Sequence, residues 1–278
     1  MGQVVHTLPE GRTVAGVTTL GNEVFVLRDK ERNELEVYDV ITYCRVRRLT
    51  VPNINGFNDM TSCEHYHCVY IADYVVMCIH RVDVKRGAST QWPVFDKPHG
   101  LSVNKAHNVL VTCPDVRKIK EFSSHGGAPL RVLTLPDDVI HPWHAIQLTS
   151  KRFVVCHGSS LSSESGDPNH RICLMNKRGS KILLSCGGPR GSHTGGYNVP
   201  RHLAVDDNQF VFVADLNNRR VTLLSPMLSH VRQVVSRDKL KWWPWSLHLD
   251  VQRRRLYVAD NQWKDEKYTE GRVVVFIV

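Results

Sequence analysis

The chain has 278 residues, of which 36 are Lys or Arg and 27 are Asp or Glu, so its formal net charge is +9. A hydrophobic fraction of 42% excludes an intrinsically disordered chain, which combines low hydrophobicity with high net charge. No apolar run approaches about 18 residues and no apolar segment follows Met1, so we expect neither a membrane span nor a signal peptide, and a cytoplasmic location.

In chain order, the sequence begins with a short strand-like segment at residues 3–8 and then repeats one pattern at intervals of about 45 residues. The copies begin at Val14, Phe57, Pro98, Pro142, Pro200 and Pro244. In each copy, short runs of Val, Ile, Phe, Tyr and Thr alternate with polar residues, as half-buried strands require. Gly, Asn, Asp and Pro separate these runs and indicate turns.

Each copy provides up to four strands, and four antiparallel strands per copy are typical of a propeller blade. The last copy ends at its third strand, residues 272–278. Residues 3–8 are therefore expected to supply the missing fourth strand, so that blade six consists of residues 3–8 and 244–278 and the ring has no gap. The sequence predicts an all-β fold, a single monomeric six-bladed β-propeller of four-stranded antiparallel blades over residues 1–278. Such a unit could also stand within a longer multidomain chain.

Eight cysteines are present, but no two of them have the C-x-x-C spacing of zinc fingers and thioredoxins. Most lie in apolar alternating runs such as "VVMCIH" and "FVVCHG", where a thiol behaves as a small buried hydrophobe. We expect reduced, structural cysteines.

The segment "PRHLAVDDNQFVFVADLNNRRVTLLSP", from Pro200, resembles the NHL repeat, the propeller unit at the C-terminus of many tripartite-motif ubiquitin ligases. The copy from Pro244 is similar apart from an insertion, and the earlier copies match less closely. The RING and B-box modules of those ligases have no counterpart here, so we expect no ligase chemistry. The family's Asp at the end of the second strand corresponds to Asp73, Asp215 and Asp260, for which we expect a structural role in the neighbouring turns.

In a propeller, the loops that lead into the innermost strands share one face with the loops between strands two and three. We call this the top face and the opposite one the bottom face. Basic and aromatic residues are frequent in its predicted loops, a composition suited to phosphates and to stacked rings. The predicted ligand-binding residues are Lys97, His99, Trp143, His144, Tyr197, Arg201, His202, Arg237, Lys239, Lys241, Trp242 and Trp243.

These residues predict a rigid binding platform for single-stranded RNA or for a protein or peptide. The family resemblance and the positive charge favour RNA, since related NHL propellers bind RNA on an electropositive face. Rigid loops and a central pocket suit a peptide equally well. We expect recognition and not catalysis, because the chain has no G-x-S-x-G nucleophile motif and no phosphate-binding G-x-x-x-x-G-K motif, and we expect no cofactor.

An alternative function is that of a metal-dependent lyase or hydrolase. His99, His144 and His202 lie near the starts of three successive inner strands and could hold zinc, or calcium could occupy the channel. The amidating lyase, another six-bladed propeller, is similar in its use of channel histidines for zinc. The positions do not match fully, however, because His99 directly follows its proline whereas His144 and His202 stand one place later.

Overall fold

The computed structural model describes residues 2–28, 33–158, 169–265 and 267–278 and confirms the predicted architecture. The described strands form six four-stranded antiparallel sheets arranged as the blades of a propeller. No helix in the described part of the chain is long and apolar enough to cross a membrane.

The first three blades follow one another in sequence. Blade one consists of β2 (Val14–Leu20), β3 (Glu23–Arg28), β4 (Glu34–Asp39) and β5 (Arg45–Thr50). Blade two consists of β6 (Phe57–Cys63), β7 (Cys68–Asp73), β8 (Cys78–Asp83) and β9 (Ser89–Pro93). Blade three consists of β10 (Leu101–Val103), β11 (Val109–Cys113), β12 (Lys118–Ser123) and β13 (Gly126–Thr134).

The last three blades complete the circle. Blade four consists of β14 (Pro142–Gln147), β15 (Phe153–His157), β16 (His170–Met175) and β17 (Ile182–Gly188). Blade five consists of β18 (Pro200–Val205), β19 (Val211–Asp215), β20 (Arg220–Leu224) and β21 (His230–Val235). Blade six consists of β22 (Trp243–Asp250), β23 (Arg255–Lys264), β24 (Lys267–Ile277) and β1 (Gln3–Thr7).

In each blade the second strand is more buried than the outermost strand. The second strand of blade five, β19, carries the sequence VFVAD and is buried at every position. The fourth strand of blade one, β5, carries RVRRLT and has no buried position. Strands between two neighbours are buried on both faces and therefore consist mainly of apolar residues, whereas an edge strand alternates or is polar.

The apolar core is divided into clusters that lie between adjacent blades. One cluster joins Phe25 of blade one to Ile71 of blade two, and another joins Leu110 of blade three to Phe153 of blade four. The cluster between blades six and one contains Tyr257, Val14 and the strand-flanking Leu8. Each blade is thus stabilised by the two blades beside it. All eight cysteines are free, and six of them are buried, as the sequence predicts.

The N-terminal strand closes the ring as predicted. β1 pairs antiparallel with β24, with Gln3 opposite Ile277 and Thr7 opposite Val274. The guanidinium of Arg28, in blade one, donates hydrogen bonds to the carbonyl oxygens of Pro9 and Gly271 at 2.7 and 3.0 Å. Blade one therefore holds both the N-terminal segment and the last blade.

Deletion of residues 1–9 is expected to destabilise the whole ring, because it exposes the edge of β24 and removes the buried Leu8 side chain. We expect the midpoint of thermal unfolding to fall by at least about 10 °C, measured by circular dichroism. Val4→Thr is the control, since it changes an exposed side chain of β1 and keeps the backbone pairing. Equal midpoints for the deletion and the control would contradict this account of closure.

Candidate functional site

Five inner strands begin with the same irregularity in their pairing to the second strand of the blade. The register shifts by one residue between Val14 and Gly16, Phe57 and Asp59, Pro142 and His144, Pro200 and His202, and Pro244 and Ser246. Blade three is equivalent, because His99 donates its N–H to the carbonyl of Thr112, whose N–H donates to the carbonyl of Gly100. A bulge of this kind redirects the side chain of the extra residue.

The bulge sorts successive residues into two rings at the top of the channel. The bulged residues form what we call the rim ring: Ala15, Asn58, His99, Trp143, Arg201 and Trp245. The residues that follow them form the channel ring: Gly16, Asp59, Gly100, His144, His202 and Ser246. His99 therefore lies in the rim ring, whereas His144 and His202 lie in the channel ring. This agrees with the sequence, in which His99 stands one place closer to its proline than the other two histidines do.

Two glycines of the channel ring allow the inner strands of neighbouring blades to approach closely. A Cβ atom on Gly100 would overlap the carbonyl oxygen of Trp143 and the Cα atom of His144, and one on Gly16 would overlap Met60. The channel ring therefore presents only three large polar side chains, those of Asp59, His144 and His202, which come from three different blades.

The same register confirms the positions of the repeat aspartates. Asp73, Asp215 and Asp260 lie opposite Phe57, Pro200 and Pro244, the residues that precede the bulge in the inner strands of blades two, five and six. Asp215 accepts the N–H of Asn198 at 2.8 Å, and Asp260 accepts the N–H of Trp242 at 2.8 Å. Arg220 and Arg272 donate to Asp215 and Asp260 at 2.7 and 2.9 Å. These carboxylates fix the loops that precede the inner strands, in agreement with the structural role predicted for them.

The three polar side chains of the channel ring form a buried cluster. Nε2 of His202 donates to the Asp59 carboxylate at 3.1 Å, and Asp59 also accepts the N–H groups of Leu101 and Met60, both at 2.8 Å. Nε2 of His144 donates to the carbonyl oxygen of Leu101 at 2.9 Å. Burial alone would raise the pKa of Asp59, but His202 and His144 hold that pKa below its ordinary value. Burial lowers the pKa of His144 to about 3, so this imidazole is neutral.

The cluster has the composition of a metal site, but the Nε2 atoms of both histidines donate hydrogen bonds, and Nδ1 of His144 is its buried histidine nitrogen without a partner among the described residues. One possible ligand atom from each of Asp59, His144 and His202 lies within 4.8 Å of the others. The N–H of Leu247 donates to Nδ1 of His202 at 3.3 Å, and Nε2 of His202 donates to Asp59. Nε2 of His144 likewise carries its proton toward Leu101. Because both Nε2 atoms act as donors, these residues do not fit a zinc ion, and the predicted third ligand, His99, lies outside the cluster.

The rim ring closes the mouth of the channel with stacked side chains. The Arg201 guanidinium lies 3.6 Å from the centroid of the Trp245 ring and 4.5 Å from that of Trp143, so it is clamped between two indoles. His99 lies against Trp143, with ring centroids 4.9 Å apart. The mouth leaves a cavity of only about 10 Å³, whereas a polar cavity of about 170 Å³ below the channel ring is lined by Ser102, Gln147 and His248 among others.

The structure brings His99, Trp143, His144, Arg201 and His202 together at the mouth, and it places the other predicted site residues elsewhere. Tyr197 is 1% exposed and packs in the core between blades four and five, and Trp242 is 5% exposed. Trp243 is partly buried, near the Arg219 guanidinium. The exposed cations lie on surrounding loops: Lys97 near Asp115 at 3.7 Å, Lys239 near Asp238 at 3.5 Å, Lys241 near Glu10 at 2.9 Å, and Arg237 in an exposed turn.

An exposed apolar patch on the top face was not predicted from the sequence. It consists of Val75, Val76 and Met77, in the turn after β7, and Phe95, in the loop after β9, and we call it the blade-two patch. The N–H of Val94 donates to the carbonyl of Met77 at 2.8 Å, which holds the two segments side by side. Phe95 is 78% exposed with φ +66°, and Met77 has φ +52°, a left-handed conformation that non-glycine residues rarely adopt.

Comparisons with known proteins agree on the fold and on nothing more specific. No family model matches the chain, and no curated protein matches its sequence. Among solved structures, virginiamycin B lyase from Staphylococcus aureus, in a catalytically inactive variant with quinupristin, has a TM-score of 0.65 at 9% identity, covering 100% of this chain and 98% of that one. A nidogen/laminin complex has a TM-score of 0.66 at 9% identity, covering 84% of each chain. Hydrazine synthase of Kuenenia stuttgartiensis has 0.64 at 12% identity, covering 96% and 97%.

The cavity below the channel ring predicts a dependence of stability on pH. Burial lowers the pKa of His248 to about 4, and its ring nitrogens are hydrogen bonded to Thr18 and Thr19 at 3.2 and 2.7 Å. In the unfolded chain this histidine gains a proton below about pH 6.5, so its stabilising contribution is complete above that pH and is lost as the pH falls toward 4. His248→Gln should reduce the slope of unfolding free energy against pH by about 1.4 kcal/mol per pH unit near pH 5, in urea titrations. His230→Gln, at an exposed position, should leave the slope unchanged. An unchanged slope for His248→Gln would show that the imidazole titrates normally in the fold.

The positions of the imidazole protons also predict the metal content. Purified protein exchanged into zinc-containing buffer and then desalted should retain less than about 0.1 zinc per chain by elemental analysis, because three open ligands are the usual minimum for a zinc site. One zinc per chain that is lost in His202→Ala would overturn this assignment of donors and acceptors.

Proposed function

We propose that the chain is a protein-recognition module whose top face binds an extended, partly apolar peptide segment of a partner. The observation that carries this proposal is the blade-two patch. An exposed phenylalanine held in a left-handed conformation costs about 1–2 kcal/mol, and an aromatic ring that is 78% exposed returns little of that cost in the isolated chain. Fifteen other described non-glycine residues also have positive φ, so it is the exposure of four adjacent apolar side chains, Val75, Val76, Met77 and Phe95, that supports a binding surface.

The contacts of the top face support a peptide over RNA. Base stacking needs free aromatic rings, but Trp143 and Trp245 already cover Arg201 and Trp242 is buried. Phosphate binding needs free cations, but Lys97, Lys239 and Lys241 each have a carboxylate within 4 Å. The nidogen/laminin neighbour is a propeller in a protein complex, in keeping with this use of the fold.

Two observations support recognition over catalysis. The cavity at the mouth, about 10 Å³, is close to the smallest that holds one water molecule, so a substrate cannot pass from the top face through the mouth to Asp59, His144 and His202. Both histidines also use Nε2 in hydrogen bonds, His144 to the carbonyl oxygen of Leu101 and His202 to Asp59. Membership of the NHL family belongs to this proposal as well, and the recurrence of Asp73, Asp215 and Asp260 at one register position supports it.

The test is a selection of peptides from a random display library on the purified domain, followed by affinity measurement by fluorescence polarisation. Phe95→Asn and Met77→Asn remove the apolar side chains at positions where asparagine tolerates the left-handed backbone. We expect each to weaken the selected peptides at least about tenfold, as interface residues with apolar anchors do. Phe95→Asn should at the same time raise the free energy of unfolding by about 1 kcal/mol.

Met227→Asn is the matched control, because Met227 is exposed in a turn between the third and fourth strands of blade five, on the bottom face. Its affinity should stay within about twofold of wild type. A random RNA pool is selected in parallel. Enrichment of RNA with an affinity that falls with salt by about 0.7 log units per phosphate contact, and no enrichment of peptides, would replace this proposal with RNA binding.

A further inference from the structure

Arg201 is a nearly buried cation without a polar partner. Its side chain projects from the rim ring of blade five, and the residue is 6% exposed. The indoles of Trp143 and Trp245 lie against its guanidinium, with ring centroids 4.5 and 3.6 Å from Cζ. No hydrogen bond or ion pair joins its guanidinium to any residue in the described part of the chain, yet its nitrogen atoms are not fully sealed from solvent. The guanidinium is a planar fork whose edge carries five N–H donors. This edge therefore faces the opening of the mouth.

Other partly buried arginines of the top face differ from Arg201 in this respect. Arg28 donates to three carbonyl oxygens and pairs with Glu36. Arg219 donates to the carbonyl oxygens of Leu240, Lys241 and Trp242. Burying a charge is costly unless hydrogen bonds or an opposite charge compensate it. Hydrogen bonds compensate the buried charges of Arg28 and Arg219. Arg201 has no such partner in the described part of the chain.

We propose that the Arg201 guanidinium is the receptor for a carboxylate that approaches its free edge from the top face. The two indoles fix the plane of the fork, so its N–H groups are directed before the ligand arrives. A carboxylate in the same plane accepts two parallel hydrogen bonds, the geometry that guanidinium groups recognise best. Asn58 lines the same mouth, and Nε1 of Trp143 is buried without an acceptor, so further donors stand beside the fork.

The charges at the mouth favour a carboxylate over a phosphate. Arg201 contributes one positive charge, and Asp59, in the adjacent channel ring, contributes one negative charge that His202 and two backbone N–H groups already stabilise. Burial keeps His144 neutral, so this imidazole adds no positive charge to the mouth. A single added negative charge is balanced by Arg201, whereas a doubly charged phosphate would leave excess negative charge beside Asp59.

This inference deepens the proposed function, because the carboxylate would belong to the peptide segment that also contacts the blade-two patch. The loops at residues 55–58 and 95–99 run from that patch to the rim ring, where they supply Asn58 and His99. The carboxylate source is either the C-terminus of the partner or an Asp or Glu side chain, and the two are distinguished by the ligands below.

The experiment is a titration followed by NMR, with the Nε–H resonance of Arg201 and the indole N–H resonances of Trp143 and Trp245 as readouts. N-acetylglycine represents a terminal carboxylate, and N-acetylaspartate N-methylamide represents a side-chain carboxylate. N-acetylglycinamide is the uncharged control, and inorganic phosphate is the competing anion, all at constant ionic strength. We expect saturable shifts in the millimolar range for a carboxylate, none for the amide, and at least about fivefold weaker binding of phosphate.

Variants of Arg201 distinguish the contribution of the planar guanidinium geometry from that of its positive charge. Arg201→Lys keeps the charge but loses the planar fork, and should weaken carboxylate binding at least about fivefold, as read from the indole resonances. Arg201→Met should abolish the saturable shift. Arg237→Met is the matched control, since it removes the same charge from an exposed position on the same face, and should leave the titration unchanged.

Three results would overturn the inference: equal shifts with the amide, phosphate binding as strong as carboxylate binding, or equal losses in Arg201→Met and Arg237→Met. The spectrum of Arg201→Lys in the absence of ligand reports whether the mouth stays folded. Because these small ligands do not contact the blade-two patch, the carboxylate site can fail while peptide binding through Phe95 persists, and the reverse outcome is equally visible.

Discussion

The antiparallel pairing of the two chain ends holds this molecule together. A propeller has no single central core, because each apolar cluster lies between two neighbouring blades. Blade six is incomplete without β1, and Leu8 beside that strand packs against Val14 of blade one. The mouth of the channel depends on this closure, since Trp143, Arg201 and Trp245 come from blades four, five and six, and their stacking needs a fixed angle between blades.

The bulge at the start of each inner strand determines what the mouth can do. It places two successive residues on different surfaces, so Arg201 belongs to the rim ring and His202 to the channel ring. The two rings can therefore carry unrelated chemistry within one repeat. Glycines at two channel-ring positions allow the neighbouring blade to approach closely, since a Cβ atom on Gly16 would overlap Met60 and one on Gly100 would overlap His144.

The sequence was sufficient to predict the fold and some of the residues that line the mouth of the channel. Period-two strands and a repeat of about 45 residues specify blades, and the last repeat lacks the strand that residues 3–8 provide. Arg201, His144 and His202 follow from their place in the repeat, and aligning "FND" with "PWH" and "PRH" would have revealed Asp59 as well. The pairing of Lys241 with Glu10 could not be predicted, because 231 residues separate them. Neither could the left-handed conformation of Phe95, which results from the loop it occupies.

The opposite charges of Arg201 and Asp59 lie in adjacent rings and still do not pair. The carboxylate is directed into the channel, where His202 and two backbone N–H groups satisfy it, and the guanidinium is directed to the rim, where indoles cover its faces. A direct ion pair would have neutralised both groups and left nothing at the mouth for a partner to recognise. Because the bulge prevents that pairing, the channel ring is complete in itself, and the unsatisfied charge is displayed only on the top face.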